Sequence, residues 1–394
     1  VIPRRGPRPL LLHLALAMLR PHLAAMRPSS PGSPPWSGAS PSLRTLLDQL
    51  LPPEPASPAG PAAWAESLRH QADLVAGIAA YRRHPWQRDL PEPPVLWAEG
   101  ESRILDYGGP DGRPVLFVPS LVNRAHVLDL AEGASMLRHL AARHRVLLLD
   151  WGWPGAAERG FTLTDYVAGR LERSLAAVGQ PVTLAGYCMG GLLAIAAAQR
   201  RPDLVRALVL LATPWDFHAP EAEAPRRLAA LLPQLEPLMT PTARLPIDAI
   251  QVLFALMDPW GIAAKYGGFA RLDPDSARAR RFVAIEDWLN DGVPLAAAVA
   301  RECLTQWYGE NAPMRGTWRI AGEAVQPQRL ALPAFVAIPS RDRIVPPESA
   351  APLAALIPGA VAHHPAAGHV GMVAGASAEK VLWHPLSDWL AALQ

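Results

Sequence analysis

One hexapeptide of the chain combines a nucleophile with the small residues needed to expose it. Gly186-Tyr187-Cys188-Met189-Gly190-Gly191 falls between a β-type apolar run, Val182 to Ala185, and a helical run, Leu192 to Arg200. A strand that turns straight into a helix leaves no room for side chains two positions to either side of its apex. The pattern therefore predicts a nucleophile elbow with Cys188 at the tip. The apex lies near a helix N-terminus, whose dipole favours a thiolate, and the backbone N–H of Met189 would donate to an oxyanion. Two more groups could complete a relay: Asp342 in PSRDRIVPP and, beyond it, His369 in AAGHVGM, each in a loop where a strand has just ended. In such a set the imidazole is general base to the thiol and the carboxylate orients the imidazole.

These groups need a scaffold that brings distant loops together. Arg103 to Tyr107, Val115 to Val118, Arg145 to Leu149, Val182 to Ala185, Val205 to Leu211, Leu332 to Ile338 and Val361 to His363 read as strands. Helical patterns at Ala131 to Arg143, Thr164 to Val178 and Leu192 to Arg200 separate several of them. Strands that are apolar throughout, alternating with helices, predict a mostly parallel sheet covered on both faces. On such a sheet the chain order nucleophile, acid, histidine is that of the α/β-hydrolase fold. Residues 101–214 and 330–394 would form its catalytic core. Between them, 215–329 reads as an inserted helical cap over the carboxyl ends of the strands, where ligands bind in open α/β sheets. Residues 62–100 predict a helix and linker docked on the core, with Trp64, Leu68, Ala72 and Val75 spaced for one face. Residues 1–61 are expected to be a disordered leader, because the Pro-rich stretch from Pro28 to Pro61 cannot pack a core.

Composition excludes several alternatives. The chain has two cysteines in 394 residues, too few for a disulfide framework or a Cys-rich zinc site. No ligand spacing suits a metal: His363 and His364, as strand neighbours, point to opposite faces. No metal site or cofactor is expected. Cys303, in the helical run VARECLTQW, reads as packing, while His126 and Asp129 could reach the mouth of the site or lie on the surface. A net charge of +2 is too small to argue for nucleic acid. Arg4 and Arg5 precede the apolar run Leu10 to Met18, which is too short to span a membrane, so no transmembrane segment is expected.

Ordered blocks of the sequence resemble the polyhydroxyalkanoate (PHA, PHB) synthases, in particular the shorter type that works with a second subunit. They are Leu121-Val122-Asn123-Arg124 with Leu128-Asp129-Leu130, then Asp150-Trp151-Gly152-Trp153-Pro154, Thr162 to Tyr166, the Cys188 elbow and Thr213 to Phe217. Trp288, Asp291 and Pro294, the Asp342 loop and Gly368 to Met372 follow in order. The resemblance implies an acyltransferase, cytoplasmic or at the surface of polyester granules, that polymerises 3-hydroxyacyl-CoA thioesters with release of coenzyme A. Coenzyme A would be part of substrate and product and not a cofactor. The resemblance makes Cys188 the acyl acceptor and His369 its base, and gives Asp342 a part in activating the incoming 3-hydroxyl. Val122 and Met189 would form the oxyanion hole, and Asn123, Arg124, Trp151 and Tyr187 would bind substrate. It implies as partners the growing polyester chain, the granule surface, and a second copy or a partner synthase subunit. A thioesterase or intracellular depolymerase would use the same Cys188, His369 and Asp342, and a non-catalytic granule- or synthase-binding paralogue is the reading from another class.

Overall fold

The computed structural model describes residues 4–25, 61–257 and 261–393. They fall into two compact units, one of residues 1–87 with 248–290 and one of residues 88–247 with 291–394.

The larger unit is built on an eight-stranded sheet. Its strands are β1 (Val95–Glu99), β2 (Ser102–Gly108), β3 (Val115–Val118), β4 (Val146–Asp150), β5 (Val182–Tyr187), β6 (Val205–Leu211), β7 (Ala334–Ala337) and β8 (Val361–His363). Their order across the sheet is β1-β2-β4-β3-β5-β6-β7-β8. From β4 to β8 every pairing is parallel, and β1 and β2 add an antiparallel edge. The central strands β3, β5 and β7 are buried along their whole length. That is why they read as continuous apolar runs without alternation. Strand β1 escapes the sequence reading because it is an edge strand with its apolar residues Val95 and Leu96 exposed.

Several expectations are corrected. The helix foreseen at Ala131 to Arg143 is the short Met136–Ala141, because Asp129–Ala131 pairs with Ala134–Ser135 and the Ser135 side chain then caps the helix by accepting from Arg138 N–H. Asp129 is fully buried and not at a site mouth: Arg88, Arg138, Ser135 and Tyr107 all donate to its carboxylate. The segment 215–329 is not one insertion, since 248–290 groups with the N-terminal residues and the remainder with the sheet.

The smaller unit is helical. Its helices α1 (Leu10–Ala25) and α2 (Pro61–Arg83) join Ile247–Met257, Gly261–Phe269 and Ala277–Asn290. Ala17, Leu74, Ile78, Tyr81, Tyr266, Phe269, Ala279 and Val283 form its core. A Cβ at Gly77 would overlap the Tyr266 carbonyl, so α2 and Gly261–Phe269 touch backbone to backbone there. Arg4 forks onto Asp287 at 2.6 and 2.7 Å, and the Tyr81 hydroxyl donates to the same carboxylate at 2.7 Å. The disordered leader is thus corrected over its first part: α1 is helical because its apolar residues have a core to join. Residues 26–60, with most of the Pro-rich stretch, lie outside the described residues. Among the described residues no single helix is long and apolar enough to cross a membrane.

Candidate active site

Cys188 directly follows β5, whose last residues pair with Leu210 and Leu211 of β6. Its N–H donates to the Leu211 carbonyl at 2.8 Å, and helix Met189–Arg200 starts at the next residue. The turn demands φ 55° and ψ −127° of Cys188, a region costing a non-glycine residue about 1–3 kcal/mol. Packing around the turn enforces it. A Cβ at Gly190 would overlap the carbonyls of Val118 and Pro119, and one at Gly191 would overlap the Thr213 side chain. Small residues at these positions let the helix start against the end of β3, and the half-exposed thiol is left at the apex.

His369 and Asp342 meet because the loops after β7 and β8 continue the sheet's hydrogen bonding past its last residues. Ser340 N–H donates to Pro365 and Arg341 N–H to Ala367, at 2.9 and 3.0 Å. Asp342 Oδ2 accepts from His369 Nδ1 at 2.7 Å. Its Oδ1 accepts the N–H groups of Ile344 and Val345 at 2.8 and 2.9 Å, and the carboxylate is fully buried. A carboxylate only accepts, so Nδ1 carries the proton and Nε2 is left to face the thiol. Burial pushes the His369 imidazole down, but the Cys188 sulfur charge, the Asp342 hydrogen bond and a side-chain hydrogen bond to Cys188 outweigh it, lifting the group to about 10. The arrangement favours the imidazolium form of His369.

The other anticipated residues divide. The Tyr187 ring is buried 5.1 Å from the His369 ring, and its hydroxyl donates to the His369 carbonyl at 3.3 Å. It braces His369 and presents no free group to a substrate. Trp151 is buried too, its Nε1 donating to Pro119 at 3.0 Å, and so supports the loop after β3 from behind. The Val122 N–H, expected in the oxyanion hole, is committed to Ser120 Oγ at 3.0 Å. The Met189 N–H opens a helix, where no intrahelical acceptor exists for it. Asn123 sits at φ 66° and turns the loop. Arg124 lies 3.4 Å from Asp291 and 5.6 Å from the Trp153 ring, lining a cleft of about 320 Å³ with Arg103, Asp150 and Trp153.

Sequence reading missed Tyr308. It lies on the wide helical turn Cys303–Gly309, where the part-buried side chain has its hydroxyl pushed up by desolvation and by the nearby Cys188 and Cys303 sulfurs. The Tyr308 carbonyl bonds the His218 ring at 2.9 Å, while Asn311 bridges Asp216 and the Phe217 N–H. These bonds fix the turn over the loop that follows β6. The run Trp307-Tyr308 was the available signal, but aromatic pairs in helical segments usually mean packing. Cys303 itself is buried, with its thiol pushed well up by desolvation.

The profile of the α/β hydrolase fold family matches residues 113–239. Together with the sheet order, this gives the larger unit the α/β-hydrolase fold. Relatives narrow the class. A poly(3-hydroxyalkanoate) polymerase subunit PhaC of Synechocystis sp. is 29% identical over 71% of this chain and 78% of its own length. The corresponding subunit of Allochromatium vinosum is 28% identical over 75% of this chain and 87% of its own. That of Haloferax mediterranei is 28% identical over 75% of this chain but only 63% of its own, so this chain spans less than two thirds of that relative. Over about three quarters of its length the chain is thus similar to poly(3-hydroxyalkanoate) polymerase subunits.

Proposed function

We propose that the chain is an acyltransferase that polymerises 3-hydroxyacyl-CoA into polyester and releases coenzyme A, with Cys188 as the acyl carrier. The observation that carries this reading is a cysteine at the elbow beside a buried His369–Asp342 pair, in a relative of named polymerases. In the first step His369 Nε2 takes the Cys188 proton as the sulfur attacks the thioester carbonyl. The oxyanion forms toward the Met189 N–H. Collapse breaks the carbon–sulfur bond to coenzyme A, whose thiolate takes the proton from His369 Nε2. One thioester has replaced another, so little free energy is lost.

In the second step the 3-hydroxyl of a second substrate gives its proton to His369 Nε2 and attacks the acyl group on Cys188. An ester forms, and the Cys188 sulfur leaves paired with the imidazolium. The lengthened CoA thioester then reloads Cys188. Both Asp342 oxygens are engaged within the protein, which supports an orienting role through His369 in place of direct contact with the incoming hydroxyl. Each step uses the Cys188 nucleophile, the His369 base and the Met189 N–H, and coenzyme A enters only as part of substrate and product. On this reading the chain works in the cytoplasm at the surface of its polymer, with a second copy or a partner subunit.

The test is incubation of purified protein with 3-hydroxybutyryl-CoA, following thiol release and product solubility. Insoluble product in step with thiol release supports the reading. Thiol release matched by free hydroxy acid means that water takes the place of the hydroxyl, as in a thioesterase or depolymerase. Failure of Cys188→Ala to alter any activity would mean a binding role.

A further inference from the structure

Away from the active site, the larger unit gathers two imidazoles and a carboxylate that sequence spacing does not reveal. His139 lies on the short helix Met136–Ala141, while Glu379 and His384 flank the wide helical turn Glu379–Trp383 near the C-terminus. Glu379 Oε1 lies 3.1 Å from His384 Nε2 and 4.0 Å from His139 Nδ1, and one ligand atom of each residue lies within 4.8 Å of the other two. The imidazole rings are 5.3 Å apart. The wide turn matters here: a π-type turn closes on the fifth residue, which brings Glu379 and His384 to the same side. The packing of Met136–Ala141 against that turn, with His139 5.2 Å from the Trp383 ring, supplies the third group.

We infer that His139, Glu379 and His384 form a binding site for a borderline divalent transition metal, best suited to zinc. Two nitrogens and one carboxylate oxygen are a donor set that Zn²⁺ accepts, with water completing the tetrahedron. Ligands about 2.1 Å from zinc stand about 3.4 Å apart on a tetrahedral edge. The pair at 3.1 Å already meets that spacing, and the 4.0 Å pair needs only side-chain rotation at positions that are partly or fully exposed. The ion would tie Met136–Ala141 to the C-terminal helix and act as a structural clamp.

The test titrates zinc sulfate into untagged, chelator-treated Cys188→Ala protein, so that the elbow thiol takes no part. One equivalent should bind, with a rise in Tm. Affinity should fall about tenfold or more in His139→Ala and His384→Ala, and about tenfold in Glu379→Gln. Co²⁺ should bind without a sulfur-to-metal charge-transfer band. If His139→Ala fails to fold, His384→Ala at its exposed position carries the comparison. Absence of stoichiometric binding, or zinc affinity unchanged in the histidine variants, overturns the inference. These outcomes do not depend on what Cys188 does.

Discussion

His369 is held in its protonated form, and the consequences can be measured one residue at a time. The His369 imidazole stands at about 10, against an ordinary value near 6.5 in an unfolded chain. A raised folded value stabilises the native state fully below about pH 6.5, and that contribution is lost as pH climbs through about 10. The Tm advantage of wild type over His369→Gln should therefore be largest near pH 6 and shrink toward pH 10; a gap constant across that range would contradict the ion pair. Asp342→Asn should keep the fold but lower turnover by about 10³–10⁴-fold, because an amide can donate to Nδ1 and stabilise the wrong tautomer. Turnover that stays within a few-fold of wild type would remove Asp342 from the relay. These three residues were legible in the sequence because the chemistry restricts which side chains can do it and the fold restricts their order. Tyr187 and Trp151 were legible as neighbours but not in their roles, since only packing shows Tyr187 against His369 and Trp151 beneath Pro119.

At the scale of elements, the elbow depends on close backbone approach. Gly190→Ala would press a methyl into the Val118 and Pro119 carbonyls, which belong to the end of a buried strand and the loop it feeds. The expected cost is about 1–3 kcal/mol, read as a lower urea midpoint, together with loss of thioester turnover as β3 and the helix separate. A stable, fully active variant would show that the turn tolerates a wider opening. The apolar runs of β3, β5 and β6 announced themselves because both faces of each strand are covered. Strand β1 did not, because its edge position leaves Val95 and Leu96 in solvent after the prolines at 91, 93 and 94. Helix Met136–Ala141 was overextended in the reading since the Ala134–Ser135 bridge depends on pairing that periodicity does not carry.

Across the whole molecule, the chain divides in a way that linear reading concealed. Residues 248–290 lie far from 1–87 in sequence, yet they share one core, with Tyr81 and Tyr266 in edge-to-face contact at 5.7 Å and Arg4 paired to Asp287. A dispensable leader could be removed without loss. Removing residues 1–25 should instead lower the Tm and expose the surface around Ile78, detected by dye binding; an unchanged Tm would mean that α1 contributes nothing to that unit. The Pro-rich composition dominates a reading of the N-terminal residues and masks the apolar helix before it.

In the proposed reaction one sulfur, that of Cys188, carries the acyl chain between successive extensions. The most direct measurement of this is the intact mass of the protein quenched in acid during turnover of 3-hydroxybutyryl-CoA. A chain carried on Cys188 should give a ladder of adducts, each one 3-hydroxybutyryl unit heavier than the last, all mapping to Cys188 and all absent from Cys188→Ala. A single acyl adduct that never lengthens, with free 3-hydroxybutyrate accumulating as thiol is released, would contradict it.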